Sequence, residues 1–261
     1  MTKNLLATAA LLVLLPAHAD IAVTSPTFTY SETFDSLSTS TTASSWVNDS
    51  TLAGWSLING AGAAVPTILG GSGSTNAGSF YSFGAAGSGE RALGSTASGG
   101  SYFGSPASGA LAGWIALALN NASGGTLDAF TVGYDGEQWR NGGNTSAQSL
   151  VLEYGFGSSF GAVAGWTAIS TFTSPVVGAT AAAVDGNGAG LVTGLGATVT
   201  TPWAAGDTLW LRWSDRNDVG NDHGLGIDNL SVSVSVVPEP QAWALLLAGL
   251  ASLGFIARRR A

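Results

Sequence analysis

Leu209-Trp210-Leu211-Arg212-Trp213 alternates with a period of two: Leu209, Leu211 and Trp213 point to one side, Trp210 and Arg212 to the other. Successive side chains of an extended chain fall on opposite faces, so this spacing predicts a β-strand with a buried face. Leu150, Leu152 and Tyr154 alternate in the same way with Val151 and Glu153. Further strands are expected over residues 28–34, 114–119, 127–134, 166–172, 192–201 and 225–236. Turn-forming clusters separate them, such as Asn141-Gly142-Gly143-Asn144 and Asp185-Gly186-Asn187-Gly188. Residues 61–100 are rich in Gly, Ser and Ala, and long loops are expected there, with short strands near 80–83 and 91–94. No stretch carries the period of an amphipathic helix. The expected fold is all-β, a single jelly-roll-like β-sandwich over residues 20–236, its first strand (28–34) beside its last (230–236).

The last strand slips in phase. Leu225 and Ile227 share one parity, while Leu230, Val232, Val234 and Val236 share the other. A β-bulge at Asp228-Asn229 would reconcile the two and re-aim the Asp228 side chain toward a useful position; the alternative is a strand that begins at Leu230.

Composition narrows the function. Residues 20–236 hold four arginines, no lysine and fifteen carboxylates, a formal charge of −11. Nucleic acid and anionic membrane surfaces need a basic partner and are excluded, while neutral glycans and divalent cations remain compatible. With no cysteine, an exported domain must rely on its core, on bound ions, or on both. Eight tryptophans in this span argue for a packed core.

The ends of the chain carry address signals. Lys3, the apolar run 5–15 and small residues at Ala17 and Ala19 read as a secretory signal helix over 1–19, cut after Ala19 by signal peptidase. A short membrane-spanning helix is the alternative. At the other end, Val237-Pro238-Glu239-Pro240 is extended, because two prolines deny the backbone a helix and ladder donors. An uncharged run of 16 residues (242–257) follows, spanning about 24 Å as a transmembrane helix. Arg258-Arg259-Arg260 then fixes the cytoplasmic side. The segment 237–261 resembles the PEP-CTERM sorting signal, with Pro238, Glu239 and Pro240 at its motif and Arg258, Arg259 and Arg260 at its basic end. The resemblance implies that an exosortase recognises the element and releases the protein from a transient inner-membrane anchor to the cell surface or beyond. It also implies association with bacteria that make exopolysaccharide and biofilm matrix.

Two segments of the domain suggest chemistry. The first is Trp213-Ser214-Asp215-Arg216-Asn217-Asp218-Val219-Gly220-Asn221-Asp222-His223-Gly224, followed by Asp228. Asp215, Asn217, Asp218, Asp222 and Asp228 offer the oxygens that Ca²⁺ takes, though the closing Glu of an EF-hand is missing. A solvated hairpin loop is the alternative. His223 alone, with no nucleophile elbow, does not make a catalytic site. The second is Tyr134-Asp135-Gly136-Glu137-Gln138-Trp139-Arg140. Glu137 and Arg140 form a buried ion pair under Trp139 in one reading, joined by Glu90-Arg91. In the other, Trp139 stacks on a sugar while Glu137 and Arg140 bond its hydroxyls. A glycosidase would need a second carboxylate, and Glu153 on a neighbouring strand is the candidate.

Phe34-Asp35-Ser36-Leu37, Glu90-Arg91-Ala92-Leu93-Gly94, Gly136-Glu137-Gln138-Trp139-Arg140 and Asp222-His223-Gly224-Leu225-Gly226-Ile227-Asp228-Asn229 resemble a secreted bacterial β-sandwich module found in PEP-CTERM proteins. The resemblance implies the sandwich and carries no activity. The expected function is an exported, non-catalytic surface or matrix protein with extracellular polysaccharide as ligand; the alternative is a secreted glycan hydrolase using Glu137 and Glu153.

Overall fold

A computed structural model describes residues 20–236; the segments 1–19 and 237–261, with the helix expected in each, lie outside the described residues. The described chain forms fifteen strands. They are β1 Ile21–Val23, β2 Thr29–Glu32, β3 Ser44–Ser45, β4 Trp55–Asn59, β5 Thr67–Gly71, β6 Ser79–Phe83, β7 Ala92–Thr96, β8 Leu111–Asn121, β9 Leu127–Asn141, β10 Ser149–Phe156, β11 Thr167–Thr173, β12 Ala182–Ala183, β13 Leu191–Trp203, β14 Thr208–Arg216 and β15 Gly224–Ser235. One sheet runs β1-β8-β14-β10-β11, with β4 sharing an edge of β8. The other runs β12-β9-β15-β7-β6-β5-β3, with β13 also on β9 and β2 also on β15. The two sheets form an all-β sandwich.

The alternation in β14 decides the first sheet. Leu209, Leu211 and Trp213 are fully buried between the sheets. Trp213 stacks on Trp55 at 5.9 Å and meets Tyr134 of β9 edge-on at 5.6 Å, so one aromatic column bridges both sheets. Such ring pairs add to the area they bury. On the opposite face Trp210 packs with Ala116, Ala118, Phe160 and Trp166. There Arg212 stacks over Trp166 at 3.8 Å and pairs with Glu153 at 2.8 Å.

The second sheet is apolar on both faces. Phe130, Val132 and Tyr134 face the main core, while Tyr81, Phe83 and Trp139 stack outside it at 4.7 and 6.2 Å. The turn at Gly186 seals this outer layer: a Cβ there would lie 2.3 Å from the Trp139 ring.

β15 runs unbroken from Gly224 and carries the expected bulge. Asp228 faces Asp135 on β9, yet Ser231 already faces Gly133, and Asn229 takes a left-handed φ of 50°. Its far half pairs with β2, Leu230 opposite Glu32, as expected of first and last strands. Two features differ from the sequence reading. β9 continues past Tyr134 to Asn141, because Glu137, Gln138 and Asn141 are buried and bonded instead of solvated. Gln138 takes the Val177 amide, and the Asn141 amide donates to the carbonyls of Val177 and Gly178. β1, β3, β4, β5 and β12 also form where none was foreseen. β5 is glycine-rich for a steric reason: a Cβ at Gly70 would lie 2.6 Å from the Thr39 backbone.

Polar links also join the sheets: the Trp55 indole donates to the Tyr30 hydroxyl at 2.9 Å, and another link involves a carboxylate. Asp215 shares the inward parity of Trp213, and the Ser95 hydroxyl of β7 donates to it at 2.5 Å. Burial pushes its pKa up to about 8, against the hydrogen bond from Ser95. The folded chain therefore keeps a proton that the unfolded chain releases near pH 4. The stability Asp215 contributes is complete below that pH and is lost as pH rises through about 8. Urea denaturation in metal-free buffer should show stability falling from pH 5 to pH 8. Asp215→Asn should flatten that fall by up to about 1.4 kcal/mol per pH unit and leave the variant the more stable chain at pH 8. Parallel profiles for variant and parent would remove Asp215 as the cause.

Candidate functional site

The two polar segments singled out in the sequence meet on the outer side of the second sheet, but they regroup. Asp228 leaves the acidic loop and joins Glu137 and Glu90. One carboxylate oxygen from each of the three lies within 4.8 Å of the others. Strand register explains the encounter. On β9 and β15, Glu137 is opposite Gly226 and Asp135 opposite Asp228, so Glu137 and Asp228 stand diagonally with no side chain at Gly226 between them. Glu90 enters from the connection between β6 and β7, and the Asn187 amide donates to it.

Glu137 is fully buried and Asp228 is 4% exposed. The Trp139 indole donates to Glu137 Oε2 at 2.6 Å. Glu137 Oε1, Asp228 Oδ1 and Glu90 Oε1 are buried with no hydrogen-bond partner. Burial, with neighbouring carboxylates adding to it, pushes Glu137 up to about 8 and Asp228 up to about 7.

The ion pair expected between Glu137 and Arg140 does not form. A register irregularity at Gly224/Leu225 leaves Trp139 as an extra residue on β9. Glu137 turns to the carboxylate cluster, while the Arg140 guanidinium donates to the Gly73 carbonyl at 2.9 Å. Trp139 cannot stack on a sugar, because its ring is 1% exposed, with Phe83 on one side and Gly186 against it. Arg91 is committed to Ser82 and does not join a Glu137–Arg140 network.

The five residues expected to ligate calcium are divided among three places. Asp215 points into the sandwich. Asn217 donates to the Pro106 carbonyl at 3.0 Å, and Asp222 accepts the Asp218 amide at 2.7 Å. Asp228 belongs to the cluster above. The loop itself forms one wall of a cleft of about 320 Å³, whose lining includes Asn76, Thr96, Arg140, Asn217, Asn221 and Asp222. Arg140 Nε and Thr96 Oγ1 are buried there without partners. Asp222, pushed up to about 7 by burial, is the carboxylate among the residues lining this cleft.

Glu137 and Glu153 do not face one another. β9 and β10 follow in sequence but belong to different sheets, and Glu153 pairs with Arg212 on the far side of the first sheet. His223 is buried, its Nδ1 accepting the Gly142 amide at 3.0 Å, and burial lowers its pKa. The ring is a neutral wedge under the loop. Asn76 and Thr96 carry no mark in the sequence that separates them from other polar residues of a Gly/Ser-rich stretch.

Residues 236–260 match the PEP-CTERM protein-sorting motif. This sorting signal implies export, a membrane-anchored stage and processing by an exosortase. No curated protein matches the chain. Solved structures with a similar outline include the CBM22-1 xylan-binding domain from Paenibacillus barcinonensis Xyn10C, at TM-score 0.40 and 10% identity, covering 82% of this chain and 99% of that one. The CBM22-1-GH10 modules of the Clostridium thermocellum xylanase Xyn10B, complexed with xylohexaose, are similar at TM-score 0.30 and 11% identity, over 69% of this chain and 26% of that one. An arabinose-bound α-L-arabinofuranosidase is similar at TM-score 0.30 and 11% identity, over 74% of this chain and 24% of that one.

Proposed function

We propose that this is a non-catalytic surface or matrix protein, a jelly-roll-like sandwich delivered by exosortase processing, that binds a neutral extracellular polysaccharide in the Arg140–Asp222 cleft. The cleft carries this reading. Its walls present amides, a guanidinium and a hydroxyl. Groups of this kind fix sugar hydroxyls by hydrogen bonds. A formal charge of −11 over residues 20–236 repels a polyanion, which favours an uncharged glycan. Glycoside hydrolysis by paired carboxylates needs two acids about 5 to 10 Å apart, and the cleft lining supplies Asp222 alone. Glu137 and Glu153, the pair weighed for hydrolysis, stand in different sheets.

Two experiments test the reading. In affinity gels containing a neutral matrix polysaccharide, exported protein should be retarded. The double variant Asn76→Ala/Asn221→Ala should run as if no glycan were present. Neither side chain donates within the fold, so the change should leave the melting temperature unmoved. Unretarded migration of the parent in every neutral polysaccharide tried would end the glycan proposal. For delivery, mass spectrometry of protein collected outside the cell should find a C terminus short of Arg258-Arg259-Arg260. Recovery of intact Arg260 would mean that the anchor is never removed.

A further inference from the structure

Glu90, Glu137 and Asp228 come from three separate segments and turn uncovered oxygens toward one point. A buried carboxylate oxygen without a donor is costly, and three together add mutual repulsion. Folded chains usually resolve this with a cation of their own. Residues 20–236 contain no lysine. Each of the four arginines is engaged elsewhere: Arg91 on Ser82, Arg140 on the Gly73 carbonyl, Arg212 on Glu153 and Arg216 on the Gly109 carbonyl. Among the described residues only Arg91 is electrostatically coupled to the cluster, through Glu90, and its guanidinium is held by Ser82, so a cation from outside these residues would relieve the remaining charge.

We infer that Glu90, Glu137 and Asp228 bind a divalent metal cation of the calcium class, which ties β9, β15 and the β6–β7 connection together. The donors are all carboxylate oxygens, with no imidazole or thiolate among them, which selects a hard cation over a transition metal. Magnesium sheds its water reluctantly, and a buried cluster demands that most of it be shed, so calcium is favoured. Glu90 is the partly exposed member and gives the ion its way in. The site shares no residue with the acidic loop at 214–224, and only Asp228 with the ligand set expected from the sequence. It also stiffens the end of β9, where Arg140 follows Glu137 by three residues and lines the cleft.

The test uses the full-length chain in mild detergent, stripped with EDTA and then titrated with CaCl2 by calorimetry. One saturable Ca²⁺ per chain is expected, and a hundredfold excess over Kd should raise the melting midpoint by about 5–10 °C. Tb³⁺ should bind the same site and luminesce when tryptophan is excited, because the Trp139 indole bonds directly to Glu137, and Ca²⁺ should quench that signal by displacement. Glu137→Gln and Asp228→Asn should each weaken Ca²⁺ binding by about tenfold or more, and Asp218→Asn should leave it unchanged. Glu90→Gln, on a partly exposed connection, guards against misfolding of the buried variants and should weaken binding likewise. Binding that survives all three cluster variants, or that Asp218→Asn alone abolishes, would move the ion to the loop and overturn the inference. Identical melting in EDTA and in millimolar Ca²⁺, with no saturable heat, would overturn it too and leave the carboxylates sharing protons.

Discussion

Between Asp228 and Ser231 the last strand carries one residue more than its partner β9, and both halves of β15 therefore turn their apolar side chains to the same core. Without that extra residue, Leu225 and Ile227 would face the interior while Leu230, Val232 and Val234 faced out, or the reverse. Asn229 absorbs the offset in a left-handed conformation that asparagine tolerates better than most residues. The same bulge lets β15 serve two neighbours in turn, β7 along Gly224 to Ile227 and β2 along Leu230 to Ser233. It also leaves Asp228 on the outer face, diagonal to Glu137. The central position of the last strand, the closure by the first strands and the carboxylate cluster all follow from one inserted residue.

The second sheet pays for a second apolar layer with buried polar groups. Tyr81, Phe83 and Trp139 stack outside the main core, so the strands beneath them are covered on both faces. Side chains at the polar end of β9 then lose water and must be bonded internally. Gln138 and Asn141 succeed by capturing the chain near Val177 and Gly178. Glu137 succeeds at one oxygen only, through Trp139. The distinction is chemical: an amide both donates and accepts, whereas a carboxylate needs donors or a cation, and the arginines here are bonded elsewhere.

Much of the sandwich was legible from period-two alternation, because one-sided strands such as β10 and β14 separate apolar from polar faces. The pairing of first and last strands and the bulge at Asp228-Asn229 were legible for the same reason, as a parity change in an otherwise regular strand. Strands buried on both faces hide from that signal. The end of β9 reads as a polar loop, and β5 reads as a glycine-rich one, since Gly70 must let the Thr39 backbone pass. The site was half legible. Glu137, Arg140, Asp222 and Asp228 were marked by composition, but their grouping depends on register across β9 and β15. Glu90 precedes Glu137 by 47 residues and Thr96 precedes Arg140 by 44, and only the sheet order β9-β15-β7 brings Glu90 to the carboxylate cluster and Thr96 to the cleft.

The chain has no cysteine, and its sorting signal implies export. Its stabilising elements divide accordingly. The aromatic column through Trp55, Trp213 and Tyr134 holds the sheets together by dispersion and burial, which depend little on medium. The carboxylates act differently. Asp215 and Glu137, both raised to about 8, weaken the fold as pH rises unless something neutralises them. Asp215 lies between the sheets, where Ser95 meets it and no second carboxylate completes a ligand set, so it answers to protons. Glu137 stands with two other carboxylates at a partly open edge, so a cation can replace its proton. The two groups share a direction of shift and a cause in burial, and differ in what relieves them, because strand register gave one a hydroxyl for company and the other two more anions.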